Sequence, residues 1–544
     1  MDQNAVRLIV ERYQNAKALT HNWRNTWAEA ARYCMPQDLD RFNVGYGGTQ
    51  PLASGGRQLG REILDDTGLR AVPKGAAALN TILTPDGVTW HHLRSPDPEL
   101  MKDRQAALWY EAVNTLLFSY RYAPLASYKI ARMAAYSSVL AYGNGPIYID
   151  SSKKSALRYR ACFIGDVVFD VDESGSVDTA YRLMLMKPRQ MLQAFGEAAL
   201  PDKIRDCIKG GTNQDEQHQV LHAVTPNTDR KEGRAGPEGR QFVDCYLAIE
   251  MGNHVLAEGG HETFPYSVDR YLIGPSETYA RGPAQLCMTS ILTLQRMKMQ
   301  RMKHGDRVVD PVLFLPEETS PVSLIPGARN YGYVSPEGRN LVSQLQMNPL
   351  GWAQEELRDE RQVVEEAMLV TFFRLLNERK EMTATEVLEL LKERGALFAP
   401  LLALMQASGT SAMIARELEL LDRAGLLPEM PGVVREAGGL YEIEYDNLGT
   451  RMLKAEAASG FQRAVGALAE LSNLTQDPSP LYALNTDVAV PDWLRSQGIP
   501  EKWIASEEQI AAKQDAAAQA QERQQMIEAA PSIAATLKAT ENTR

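Results

Sequence analysis

The sequence predicts an α+β fold, and three observations carry that prediction. Residues 1–35 have a helical pattern, with Trp23 and Trp27 one turn apart and Met35-Pro36 ending the run. From Gly145 to about Ile273 the pattern changes to short runs rich in Val, Ile, Tyr and Phe, separated by Gly, Pro, Asn and Asp. Beyond them, two long helical segments bracket a stretch punctuated by Pro and Gly. Helices segregated from a block of strands give α+β, whereas regular alternation would give a parallel α/β sheet.

Composition narrows the function classes. At 544 residues, 44% hydrophobic and 23% charged, the chain is long enough to bury a sizeable core in more than one domain. Its formal charge of -11 excludes binding nucleic acid by bulk charge, so any DNA contact has to be local. Cys34, Cys162, Cys207, Cys245 and Cys287 are odd in number and scattered. Without a CxxC pair they suggest neither a disulfide framework nor a zinc site, and a reducing compartment fits them best. The start, "MDQNAVRLIVERYQNAK", carries charges throughout and reads as an amphipathic helix, not a signal peptide.

Taken in order, the elements offer little chemistry. The loop "GYGGTQPLASGGRQLGRE" has Gly55 and Gly60 at phosphate-loop spacing, but Arg61 and Glu62 stand where Lys and Ser or Thr are needed, so it reads as a surface loop. Helical segments lead to about Ser138, with a turn in "TILTPDGVTWHHL". The strand runs are "PIYID", "FIGDVVFDVD", "TAYRLMLM", "HQVLHAVTP", "FVDCYLAIEM" and "HVLAEGG", an antiparallel β-rich module. His218 and His222 lack the Glu of a metalloprotease helix, and on a strand they share a face in a packing or surface role. No nucleophile elbow, dinucleotide fingerprint or metal-ligand spacing occurs, so no catalytic, metal or cofactor site is expected. Gly395 to Ala415 is uncharged, but Pro400 and the polar cluster Gln406–Ser411 favour a buried helix followed by a polar turn over a membrane span.

The first long helix, Pro283 to His304, opens on proline and closes on Arg296, Lys298, Arg301 and Lys303, the arrangement the helix dipole favours. Its apolar residues (Leu286, Ile291, Leu292, Leu294, Met297, Met299, Met302) lie on all sides, as in a helix packed on several faces. The second runs from about Leu350 to Leu376, acidic first (Glu355, Glu356, Asp359, Glu360) and apolar later. If the two are antiparallel, basic and acidic ends lie side by side, either as charge pairs or as solvated faces of a helical hairpin. Thr383 and Glu386 then form a capping box that starts a new helix, leaving Asn377, Glu378, Arg379, Lys380, Glu381 and Met382 as a short loop.

"RKEMTATEV", "LDRAGLLPEMPG" and "YEIEYDNLGTRMLKAEAASGFQRAVGALAEL" together resemble the head-to-tail connector, or portal, proteins of short-tailed bacteriophages. The likeness extends to "NWRNTWAEAARYCMP", "DDTGLRAVPKGAAALNTILTPDGVTWHHL", "FPYSVDRYLIGPSETYARGP" and "LRSQGIPEKWIASEEQIAAKQ", over roughly residues 15 to 525. The resemblance implies a portal-type subunit. Its wing is 1–280, β-rich from about 145; its first stem helix is 281–304, its β-containing clip 305–349 and its second stem helix 350–376. A channel loop at 377–383, wing helices at 384–430, a helical crown at 431–510 and an Ala/Gln-rich helix or tail at 511–544 complete it.

Also implied are a dodecameric ring at a capsid vertex of the virion, made in the host bacterial cytoplasm, and double-stranded DNA passing through its channel. Partners implied are the terminase packaging motor, capsid and scaffolding proteins and tail adaptor proteins. Arg379 and Lys380 are expected either to touch the DNA backbone or to pair with Glu378 and Glu381 in the loop. Arg329, Tyr331 and Arg339 are expected on the clip surface, because they sit in a Gly/Pro-rich turn region. Two alternatives stay open: a structural ring without a DNA channel, such as a tail adaptor, and a DNA-packaging enzyme.

Overall fold

A computed structural model describes residues 3–43, 60–211, 213–231, 233–234, 236–315, 322–345, 352–371 and 400–446, with 464–472 and single positions as far as 516. The chain forms two compact units. One comprises Met1–Asp86, Tyr120–Leu390 and Leu397–Gly425, the other Gly87–Ser119, Leu391–Ala396 and Leu426–Arg544.

The helices in chain order begin with α1 (Gln3–Leu19), α2 (His21–Cys34), α3 (Leu39–Asn43), α4 (Thr67–Leu83), α5 (Arg104–Arg121) and α6 (Tyr128–Tyr142). They continue with α7 (Pro188–Phe195), α8 (Asp202–Gly210), α9 (Pro283–Leu286), α10 (Met288–Val309) and α11 (Trp352–Ala367). The strands are β1 (His91–Arg94), β2 (Asn144–Ser152), β3 (Ser155–Ala161), β4 (Val167–Val171), β5 (Val177–Met186) and β6 (His218–Pro226). Then come β7 (Phe242–Ala248), β8 (His254–His261), β9 (Tyr266–Arg270), β10 (Leu313–Phe314), β11 (Ser343–Gln344) and β12 (Glu442–Tyr445).

In the first unit a five-stranded meander, β4-β5-β6-β7-β8, is antiparallel throughout. Short turns join β4 to β5 and β7 to β8, whereas α7 and α8 lie in the connection from β5 to β6; antiparallel neighbours need no crossover. Alternation along β6 and β7 divides the side chains between two faces. Leu221, Ala223, Cys245 and Leu247 bury against Val6, Ile9 and Tyr13 of α1. Val220 and Ala248, on the other face, pack with Met191 of α7 and Ile204 of α8. A second sheet, β3-β2-β9, adjoins that face, where Tyr148 and Tyr266 meet His222.

Two expectations about helices need correction. The polar cluster Gln406–Ser411 is not a turn after a helix but a π-helical segment running straight into the helix Ala412–Arg423. Its polar groups have buried partners: Thr410 accepts from Arg132, the Gly409 carbonyl accepts from Ser267, and Ser408 bonds back to Leu404. A Cβ on Gly409 would overlap an Asp269 carboxylate oxygen at 1.9 Å, so only glycine fits there. The second long helix does not run on to Leu376 unbroken. α11 ends at Ala367, and Leu369 adopts φ 63, a left-handed residue of the kind that terminates helices. Among the described residues no helix is long and apolar enough to cross a membrane.

The second unit is discontinuous in sequence. β1 pairs antiparallel with β12, and Tyr110 and Trp109 donate to the carbonyls of Leu440 and Pro428 at 2.6 and 3.1 Å. Residues 87–119, which the resemblance assigns to the wing, thus pair with residues 428–445.

Candidate functional site

The two long helices pack together, and their direction follows from what each meets along α4. Gln295 of α10 accepts from the Leu64 and Asp65 amides at 2.8 and 3.0 Å, and Ile291 lies beside Gly68. Arg361 of α11 donates to Asp65, whereas the Met368 carbonyl sits against Gly75, where an added Cβ would come within 2.3 Å of its oxygen. α10 therefore runs against α4 and α11 along it, so the two long helices are antiparallel. At their far end β10 pairs antiparallel with β11.

Asp65 fastens this arrangement. Its buried carboxylate accepts two bonds from Arg361, at 2.6 and 3.1 Å, and two from Thr67, at 2.5 and 3.1 Å. Burial pushes its pKa up, but the bonds from Thr67 and Arg361 outweigh burial and hold it below the ordinary carboxylate value. Gln295 also donates to the Asp65 carbonyl at 2.7 Å. The only sequence signal for Asp65 was its place before a helix with Thr two residues on, an Asx-turn pattern. Nothing local pointed to Arg361.

The residues expected to pair between the long helices do not do so within the subunit. Among the described residues no ion pair joins Arg296, Lys298, Arg301 or Lys303 to Glu355, Glu356, Asp359 or Glu360. All but Lys298 and Glu360 are exposed. Nor is α10 buried on all sides: Ile291 and Leu294 are buried, but Leu292, Met299 and Met302 are exposed. The helix also extends past His304 to Val309, with a break at Cys287 after α9. Arg329, Tyr331 and Arg339 lie on exposed turns of the segment between β10 and β11. Asn377, Glu378, Arg379, Lys380 and Glu381, with the Thr383–Glu386 box and Gly55, fall outside the described residues.

The chain matches the family model described as bacteriophage head to tail connecting protein over residues 7–504. It belongs to that family. The chain is 25% identical over 499 residues to the portal protein of Salmonella phage epsilon15, covering 88% of this chain and 87% of that one. It is 22% identical over 519 residues to the probable portal protein of Bordetella phage BPP-1, covering 94% and 90%. Among the described residues no group of three or more His, Cys, Asp or Glu side chains is placed to hold a metal ion.

His218 and His222 sit on β6 as packing residues, both buried. His222 belongs to a polar cluster between the two sheets. Its Nε2 lies 2.7 Å from Asp244 and its Nδ1 2.6 Å from the Tyr266 hydroxyl, while its ring stacks on Tyr246. His261 reaches the other Asp244 oxygen at 3.0 Å, and its Nδ1 faces Arg416 at 3.2 Å. Arginine only donates, so His261 Nδ1 accepts, leaving its Nε2–H for Asp244. Burial holds the His222 pKa below its ordinary value despite Asp244. Burial pushes Asp244 up, yet hydrogen bonds from both histidines leave it well below the carboxylate range.

Both shifts have the same sign for stability. A histidine kept neutral by the fold contributes above its unfolded pKa of about 6.5 and loses that contribution as pH falls through the folded value. A depressed carboxylate contributes above about 3.9 and loses it the same way. Thermal melts of the protein should therefore show stability falling from pH 7 to pH 5, and His222→Gln should flatten that slope. An unchanged slope in the variant would show that His222 does not carry it.

Proposed function

We propose that this chain is the subunit of a portal ring at a capsid vertex of the virion, forming the channel for DNA packaging and ejection. The observation that carries this reading is the match to head-to-tail connecting proteins over residues 7–504. Relatives named as portal proteins that align over most of both chains support it, and so do two antiparallel long helices leading to a β pair. The ring is a dodecamer, with α10 and α11 as stem and residues 305–349 as the clip that meets the terminase motor and then the tail adaptors. Capsid and scaffolding proteins surround its wing, and the chain acts structurally, not as an enzyme. Exposed Leu292, Met299 and Met302 on α10 are what a helix with neighbours in a ring leaves uncovered in one isolated subunit.

Residues 377–381 form the channel loop on this reading, and Arg379 and Lys380 touch the DNA backbone without reading sequence. Few such contacts suit a conduit, since each neutralised phosphate adds a salt-dependent hold with a slope of about -0.9. Phage heads assembled without this chain should contain no packaged DNA, and supplying it in trans should restore packaging. Arg379→Ala with Lys380→Ala should alter packaging, genome retention or ejection; all three unchanged would remove these residues from the DNA contact.

A further inference from the structure

The charges that do not pair inside the subunit lie on outward-facing stripes of the two long helices. Buried Ile291 and Leu294 mark the packed side of α10. At about 100° per residue, Leu292, Arg296, Met299, Lys303 and Arg307 share one stripe on the opposite side, and all five are exposed. On α11, Leu357 and Val364 mark the packed side. The stripe opposite holds Glu355, Asp359, Gln362 and Glu366, all exposed, with exposed Val363 beside it. One outer stripe is thus basic and the other acidic, both with the four- and three-residue spacings of a face that packs against another helix. Among the described residues none of the six charged groups has an ion-pair partner in its own subunit.

We propose that the basic stripe of α10 docks on the acidic stripe of α11 in an adjacent copy of this chain, a reading that rests on the ring of the preceding subsection. Each stripe points away from its own helix's packed side, so the pair forms between copies. One antiparallel register sets Arg296 against Glu366, Lys303 against Asp359 and Arg307 against Glu355, and brings Met299 to Val363. Charge complementarity fixes the direction and the apolar pair adds burial. The contact joins different surfaces of identical chains, and repetition of such a contact closes a ring when the rotation permits.

Two variants of the full chain test this, one carrying Arg296→Glu, Lys303→Glu and Arg307→Glu, the other Glu355→Lys, Asp359→Lys and Glu366→Lys. All six positions are exposed, and circular dichroism melts matching the unsubstituted chain check that each variant folds. Each alone presents like charges across the contact and should associate about ten- to hundredfold more weakly. Mixed in equal amounts they should assemble again, because the acidic α10 of one meets the basic α11 of the other. Rings from either variant alone, with the affinity of the unsubstituted chain, would overturn the pairing. So would a mixture that stays as dispersed as its components, since pairing within a chain gains nothing from mixing. An unsubstituted chain that forms no ring would instead overturn the ring reading, together with this pairing.

Discussion

Replacing Glu417 with alanine should destabilise the first unit by about 3–5 kcal/mol, the cost of leaving one member of a buried ion pair without its partner. The side chains of Arg121 and Glu417 are both 0% exposed. Arg121 Nε and Nη2 donate to the Glu417 carboxylate at 3.0 and 2.6 Å, and the Tyr159 hydroxyl adds a third bond at 2.5 Å. Burial alone would lower the Arg121 pKa; Glu417 overcomes it and holds the guanidinium above its ordinary value. Removing Glu417 therefore takes both carboxylate bonds from a buried guanidinium that keeps its charge. Urea and thermal midpoints would measure the loss. Arg121→Met with Glu417→Leu should recover most of it, because removing both charges together ends the desolvation problem. A Glu417→Ala chain within about 0.5 kcal/mol of the original would mean that water reaches Arg121.

Asp65→Ala is expected to loosen the two long helices from α4. It deletes both bonds to Arg361 and both to Thr67. Arg361 is 39% exposed and can turn to water, so the cost is set at about 2 kcal/mol, within the range for bonds to charged groups. Amide exchange along residues 352–367 should then rise by about tenfold or more. Asp65→Asn should fall between, keeping an acceptor for Thr67 while losing the charge. The same carboxylate predicts an acid limit. Its depressed pKa means its contribution is present above about pH 4 and lost as pH falls through the folded value. Unchanged exchange in Asp65→Ala would leave packing alone as what holds α11.

Local pattern made much of this legible. Every strand run read from "PIYID" to "HVLAEGG" lies in or across a strand of the two sheets, because alternation and turn residues are local properties. The two long helices were legible for the same reason. Short β3 and β9 were not read, nor was the pairing of β1 with β12, whose partners His91 and Tyr445 are far apart in sequence. The π-helical segment could not be read either, since its polar residues look like a turn until Arg132 and Asp269 are brought beside them. At the candidate site the sequence showed opposite charge on two helices but not which side of each helix is outward, because that depends on the sides Ile291 and Leu357 bury. Asp65 escaped notice because its partner, Arg361, comes from the far end of the unit's sequence.

Copies of this chain are expected to close into a ring around a DNA channel. Electron microscopy of the purified protein, with particle mass measured on the same sample, tests it most directly. Twelvefold rings with an open channel wide enough for a duplex are the predicted result. A compact monomer at every concentration and salt, or a ring closed to a duplex, would contradict it.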